Sequence, residues 1–156
     1  MLRHRLTYPS PSEEAEVVTR SLKLRLKRQG DGAIPMSAFD AIDGSQRMSV
    51  KQLTEAMAAV QSVHVSDVFV RDCVELVNLT RKHEHLELGC SPRAALALVH
   101  ASRARAHIHG REYVIPEDLF ALAEDVILHR VRLTYEALAE GRKATDVLAS
   151  ILQSLT

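Results

Sequence analysis

Leu88-Gly89-Cys90-Ser91-Pro92-Arg93-Ala94 reads as a loop turning into a helix. Proline at the first helical position sacrifices no hydrogen bond, because the amide there has no partner in any case, and a serine just before it is a good cap. From this start Ala97, Leu98, Ala101, Ala104 and Ile108 fall on one stripe and His100, Arg103 and His107 on another, until Gly110 stops the helix. Arg93 stands in the first turn, where a cation opposes the helix dipole and an acidic residue is the stabilising choice. The placement makes sense if an anion arrives, since free amides and a guanidinium together bind phosphate oxygens well. The competing reading pairs Arg93 with Glu84 or Glu87, and local chemistry alone leaves the two level.

Working upstream, Ser66 caps a helix whose Phe69, Cys73, Leu76, Val77 and Thr80 share one face, ending near Lys82 before a His83-to-Gly89 loop. Ser49 and Gln52 form the signature of a capping box, opening a helix through about Gln61, with Val63-His64-Val65 an extended link. The chain from Gly30 to Met48 is irregular, yet Ile34, Met36, Phe39 and Ile42 argue for a loop pinned to the body. Ser10, Pro11 and Glu13 predict a helix that runs to Gly30, with Lys27 and Arg28 in its last turns. Leu2, His4 and Leu6 alternate with Arg3, Arg5 and Thr7, the period of a strand. One short strand is unstable alone, so its sheet belongs to sequence outside this chain.

Downstream, Tyr113-Val114 is extended and Pro116 opens a helix with Leu119, Leu122, Ala123, Val126 and Ile127 on its apolar face. A last helix runs from about Ala144 to Leu155 on Val147, Leu148, Ile151, Leu152 and Leu155. The fold class is therefore all-α, a bundle-like helical domain with a short extended segment at its N-terminal end.

The composition excludes several functions. With 46% hydrophobic and 26% charged residues in 156, the chain suits one globular domain, and no stretch of apolar residues is long enough for a membrane span or a secretory signal. A cytoplasmic location and no membrane insertion are expected. Twenty basic and twenty acidic residues cancel, so no overall field draws in nucleic acid. Neither a phosphate-binding GxxxxGK[ST] loop nor a GxSxG or HExxH motif is present, and enzymatic activity of this chain alone is not expected. His83, His85 and Cys90 match no established metal spacing and lack a fourth ligand, so no metal site is expected. Arg105 and Arg111 extend the His100, Arg103, His107 stripe, which could face an acidic partner or simply be the solvated side of a helix.

Four blocks in order carry a resemblance to a known family: Leu79-Thr80-Arg81, Leu88-Gly89-Cys90-Ser91-Pro92-Arg93-Ala94, Gly110-Arg111-Glu112-Tyr113-Val114-Ile115-Pro116-Glu117-Asp118, and His129-Arg130. They resemble the C-terminal lid of MoxR-family AAA+ ATPases. Leu6-Thr7-Tyr8-Pro9-Ser10 followed by Glu13-Glu14 resembles the point where that family's chain leaves its nucleotide-binding core. A cysteine at Cys90 where alanine is common, and Asp72 in place of an expected tyrosine, are modest departures. The resemblance implies that residues 1–11 end the core and 12–156 form the lid, with the phosphate-sensing arginine at Arg93 and nucleotide contact through Gly89, Ser91, Pro92 and Arg93. It also implies ATP as cofactor, with magnesium bound by the absent core and no tight binding to this chain alone. Its partners would be its own core, copies of itself in a ring, usually a hexamer, and a client of the class that carries a von Willebrand factor A domain. A free-standing helical interaction module, docking through the arginine-histidine stripe, is the alternative of a different class.

Overall fold

Ser10 opens the first helix, α1 (Pro11–Leu22), through a reciprocal box. Its amide donates to Glu13 Oε2 at 2.8 Å and its hydroxyl accepts from the Glu13 amide at 3.4 Å. The computed structural model to which this helix belongs describes residues 2–3, 6–29, 32–36 and 48–155. They form two compact units, Arg5–Val50 in one and Met1–His4 with Lys51–Thr156 in the other.

In the Arg5–Val50 unit, α1 ends eight residues before the glycine expected to stop it, and Lys27 and Arg28 lie on a strand instead of a last helical turn. Strand β1 (Leu26–Gln29) pairs antiparallel with β2 (Gly32–Pro35), Gln29 standing opposite Gly32. The physical reason is legible afterwards: Leu22, Leu24 and Leu26 alternate with Lys23, Arg25 and Lys27, a period of two that a helix cannot turn into one face. The supposedly irregular stretch after Gly30 thus begins with a strand, while Phe39 and Ile42 lie outside the described residues. Leu2, Arg3, Leu6 and Thr7 join no β-ladder here, and His4 and Arg5 also lie outside the described residues.

The larger unit is helical. Helix α2 (Val50–Ser62) buries no residue, whereas α3 (Asp67–Lys82) buries Phe69, Cys73, Leu76, Val77 and Thr80, the face read from sequence. The Ser66 hydroxyl accepts from the Phe69 amide at 3.2 Å and starts α3. Next come β3 (Leu86–Leu88), α4 (Pro92–Ile108), α5 (Pro116–Ile127), a single 3-10 turn (Leu128–Arg130), β4 (Arg132–Leu133), α6 (Tyr135–Ala139) and α7 (Ala144–Gln153). The His83-to-Gly89 segment is thus not all loop: β3 pairs antiparallel with β4, Leu86 opposite Leu133. His64 forms a parallel bridge with Tyr113, tying the two extended links together.

Leu76, Leu98, Leu119, Val126 and Ile127 meet in the core, with Val147, Leu148 and Ile151 of α7 closing one side. On α4 the buried stripe is Ala94, Leu98, Ser102 and Ala106, and of the five residues expected there only Leu98 is buried. Ile108 is 80% exposed. No helix among the described residues is long and apolar enough to cross a membrane.

Candidate functional site

The site is the N-terminal end of α4, and its shape is set by the last turn of α3. Thr80 is fully buried, and its hydroxyl donates to the Val77 carbonyl at 2.7 Å while accepting from the Cys90 amide at 2.9 Å. One residue on, Arg81 Nε donates to the Cys90 carbonyl at 2.6 Å, and its Nη1 reaches Asn78 Oδ1 at 3.3 Å. Both backbone groups of Cys90 are therefore held by neighbouring side chains of one helix turn. Gly89 makes this approach possible. A methyl group there would lie 2.6 Å from both the Cα of Arg81 and the carbonyl oxygen of Thr80, closer than any real contact. The sequence blocks Leu79-Thr80-Arg81 and Gly89-Cys90 are thus the two halves of one clamp.

The helix start beyond the clamp is open. Ser91 has the extended backbone of a cap, but its hydroxyl makes no cap hydrogen bond, contrary to the serine cap expected. Its carbonyl accepts from the Ala94 amide at 2.9 Å. Pro92 brings no N–H of its own, and the Arg93 amide, in the first turn where no helical carbonyl precedes it, has no partner among the described residues. Arg93 itself is exposed. Neither acid that could have neutralised it does so: Glu87 pairs with Arg132 at 3.0 Å, and Glu84 lies 3.6 Å from His85. The Arg93 guanidinium has no hydrogen bond or ion pair among the described residues. Chemically, the site presents a cation, an amide and a hydroxyl that have no partner among the described residues, at the positive end of a helix dipole, an arrangement that fits phosphate oxygens.

The Gly110-to-Asp118 block serves α4's other end. Gly110, at φ +68°, follows the helix, and the amides of Gly110 and Arg111 donate to the carbonyls of His107 and Ala106. Arg111 then grips the wholly buried Asp118 through Nη1 and Nη2 at 2.8 and 2.7 Å, Arg105 Nη1 adds a contact at 2.7 Å, and the Ile115 amide donates to the same carboxylate at 3.0 Å. Burial pushes this carboxyl upward, but the bonds from Arg111, Ile115 and Arg105 outweigh it and hold it at about 2. Arg105 and Arg111 are therefore internal partners rather than members of a docking stripe, which leaves His100 and His107 as its exposed remainder. Asp118 was read in the sequence only as the end of a block, with no role of its own, although an acid three residues after the helix cap, here Ile115, is a capping signal.

The rings of His83 and His85 lie with centroids 5.4 Å apart and planes tilted by 55°, and the His83 imidazole is held below its ordinary value by burial and by His85. Cys90 is buried away from solvent, and burial pushes its thiol up. Among the described residues no three His, Cys, Asp or Glu side chains gather around a possible metal ion.

Residues 78–151, spanning the clamp, α4 and the Asp118 knot, match the AAA lid domain family. Chaperone MoxR1 of Mycobacterium tuberculosis is 33% identical over 157 aligned residues, 95% of this chain and 37% of that protein. The uncharacterized protein YeaC of Bacillus subtilis is 31% identical over 99% of this chain and 44% of its own length. The chain belongs to the MoxR-family AAA+ lid domains. A crystal structure of a candidate ATPase from Cytophaga hutchinsonii superposes on the lid chain with a TM-score of 0.74 at 26% identity, covering 98% of this chain and 45% of that one. The lid chain spans less than half the length of these three relatives.

Proposed function

We propose that this lid closes over ATP held by a nucleotide-binding core, and that Arg93 meets the terminal phosphates. The observation that carries the reading is the guanidinium of Arg93, without a partner among the described residues, beside its own equally unpartnered amide, on a helix end clamped by Thr80 and Arg81. Where ATP is bound, the lid's share of the work is electrostatic. Arg93 donates to phosphate oxygens with the Ser91 hydroxyl beside it, while Gly89 and Pro92 act through shape, one by close packing and one by presetting the backbone of the first helical turn. Magnesium would be held by the core, which also supplies the hydrolytic machinery. Because a ligand shifts an equilibrium only through its differential affinity, contacts at Arg93 that weaken on loss of the terminal phosphate bias the lid between closed and open.

In this reading residues 1–11 end the core, the hinge lies near Tyr8 to Pro11, and the assembled protein is a cytoplasmic ring, a hexamer, maturing a client with a von Willebrand factor A domain. MoxR1's name as a chaperone supports the client role. The alternative, a helical interaction module without nucleotide function, draws on the exposed Leu53 and Met57 of α2. Its arginine-histidine stripe, however, is partly consumed by Asp118. The test is Arg93→Ala in the ATPase chain carrying this lid. Turnover should fall by roughly 10². Wild-type turnover with the fold intact would remove the sensor reading.

A further inference from the structure

Arg81 is an exposed arginine on the last turn of α3 that makes a charge-assisted bond to a backbone carbonyl, and no acid pairs with it among the described residues. The target of that bond is informative. The Cys90 carbonyl lies three residues before Arg93, in the short segment that decides where α4 begins and how its first turn is aimed. Three constraints converge there: Arg81 Nε on the Cys90 carbonyl at 2.6 Å, Thr80 Oγ1 on the Cys90 amide at 2.9 Å, and the Gly89 backbone seated on α3. Thr80 and Gly89 are committed to the interior and account for packing. Arg81 is not needed for packing, since its side chain lies at the surface, and a structural carbonyl there could equally be satisfied by water.

We propose that Arg81 is a positioning residue for Arg93, fixing the direction in which the α4 start presents its guanidinium to phosphate. This rests on the sensor reading of Arg93. A preorganised donor contributes to transition-state stabilisation only while its geometry is held, and misplacement by about 1 Å is enough to cost on the order of 10²-fold in rate. In this role Arg81 acts on the Cys90 carbonyl and, through it, on the direction of Arg93.

The experiment is a double-mutant cycle in the ATPase chain carrying this lid, with thermal unfolding of each variant as the control for folding. Arg81→Met keeps the aliphatic stem and removes the donors; it should lower kcat roughly tenfold, less than Arg93→Ala does, with a smaller change in KM for ATP. Arg81→Lys, which retains one donor for the Cys90 carbonyl, should recover most of that loss. The Arg81→Met/Arg93→Ala double variant should turn over no more slowly than Arg93→Ala alone, because a positioning residue has nothing left to position. Multiplicative loss in the double variant overturns the proposal, as does normal turnover of Arg81→Met beside an impaired Arg93→Ala, which leaves the sensor reading intact. If Arg93→Ala itself turns over normally, the sensor reading fails and this inference with it. Should Arg81→Met not fold, Arg81→Gln, whose shorter side chain does not bring a donor to the position of Nε, carries the same cycle with Arg93→Ala.

Discussion

Arg111 holds Asp118 with two parallel bonds, at 2.7 and 2.8 Å, across the joint between the end of α4 and the start of α5. The carboxylate is fully buried and accepts two further bonds, from Arg105 and the Ile115 amide. Asp118→Asn removes the charge that compensates two guanidinium groups, and breaking a buried pair on one side costs about 3–5 kcal/mol. Urea unfolding of the 156-residue chain should show a loss of that order; a loss under 1 kcal/mol would mean that water replaces the carboxylate freely.

The same group predicts an acid-side stability profile. Its folded value of about 2 lies below the ordinary 3.8, so its contribution is present in full above the ordinary value and disappears as pH falls from there through about 2. The shift corresponds to something on the order of 2 kcal/mol. Unfolding measured from pH 5 down to pH 2 should steepen in this window, and Asp118→Asn should remove that part of the slope.

Gly89→Ala places a methyl 2.6 Å from backbone atoms of α3, which cannot swing aside as a side chain can. A loss of roughly 1–3 kcal/mol is expected, typical of forced overpacking. Calorimetry of the folded chain reads it directly. An unchanged melting temperature would show that the segment is not seated on α3 as described.

Thr80→Val preserves shape but leaves the Cys90 amide without its acceptor, at a cost of roughly 1–3 kcal/mol. Thr80→Ser keeps the hydroxyl and should retain that bond. In the valine variant, hydrogen exchange at the Cys90 amide should quicken more than at amides in the middle of α3, and equal protection in both variants would contradict the clamp.

Neither thiol should react in the folded state. Cys73 is fully buried and pushed up to about 12, by desolvation first and by the charge of Asp72 second, and Cys90 is buried and raised as well. A thiol reagent at pH 8 should label both only at the rate of unfolding; fast labelling of Cys90 before unfolding would show that the clamp opens locally.

What could be read from sequence divides along physical lines. The face of α3 was legible in full, because its apolar residues recur at helical spacing against charged neighbours. On α4 the alanines lie all round the helix, so hydropathy cannot choose between faces, and the buried line runs through Ser102, whose hydroxyl has no partner among the described residues. Helix α1 was overextended because its capping signal dominated the two-residue alternation that follows it. The pairing of β3 with β4 joins residues more than forty positions apart, so no local window reveals it. At the site, the oddness of a cation at a helix start was visible in Arg93 alone. The clamp was not: a hydroxyl and a guanidinium reaching from one helix to the backbone of the next segment leave no periodicity to read, and only a likeness of whole blocks pointed there.

Helix α4 carries Arg93 at one end and Arg105 near the other, 17 residues in all and so about 25 Å of hydrogen-bonded rod. Its far end is fastened to α5 through charged bonds and its near end rests on α3. The charge that faces solvent and the charges that fasten the next helix thus sit on opposite ends of a single rod, one end left for a ligand and the other spent on the fold.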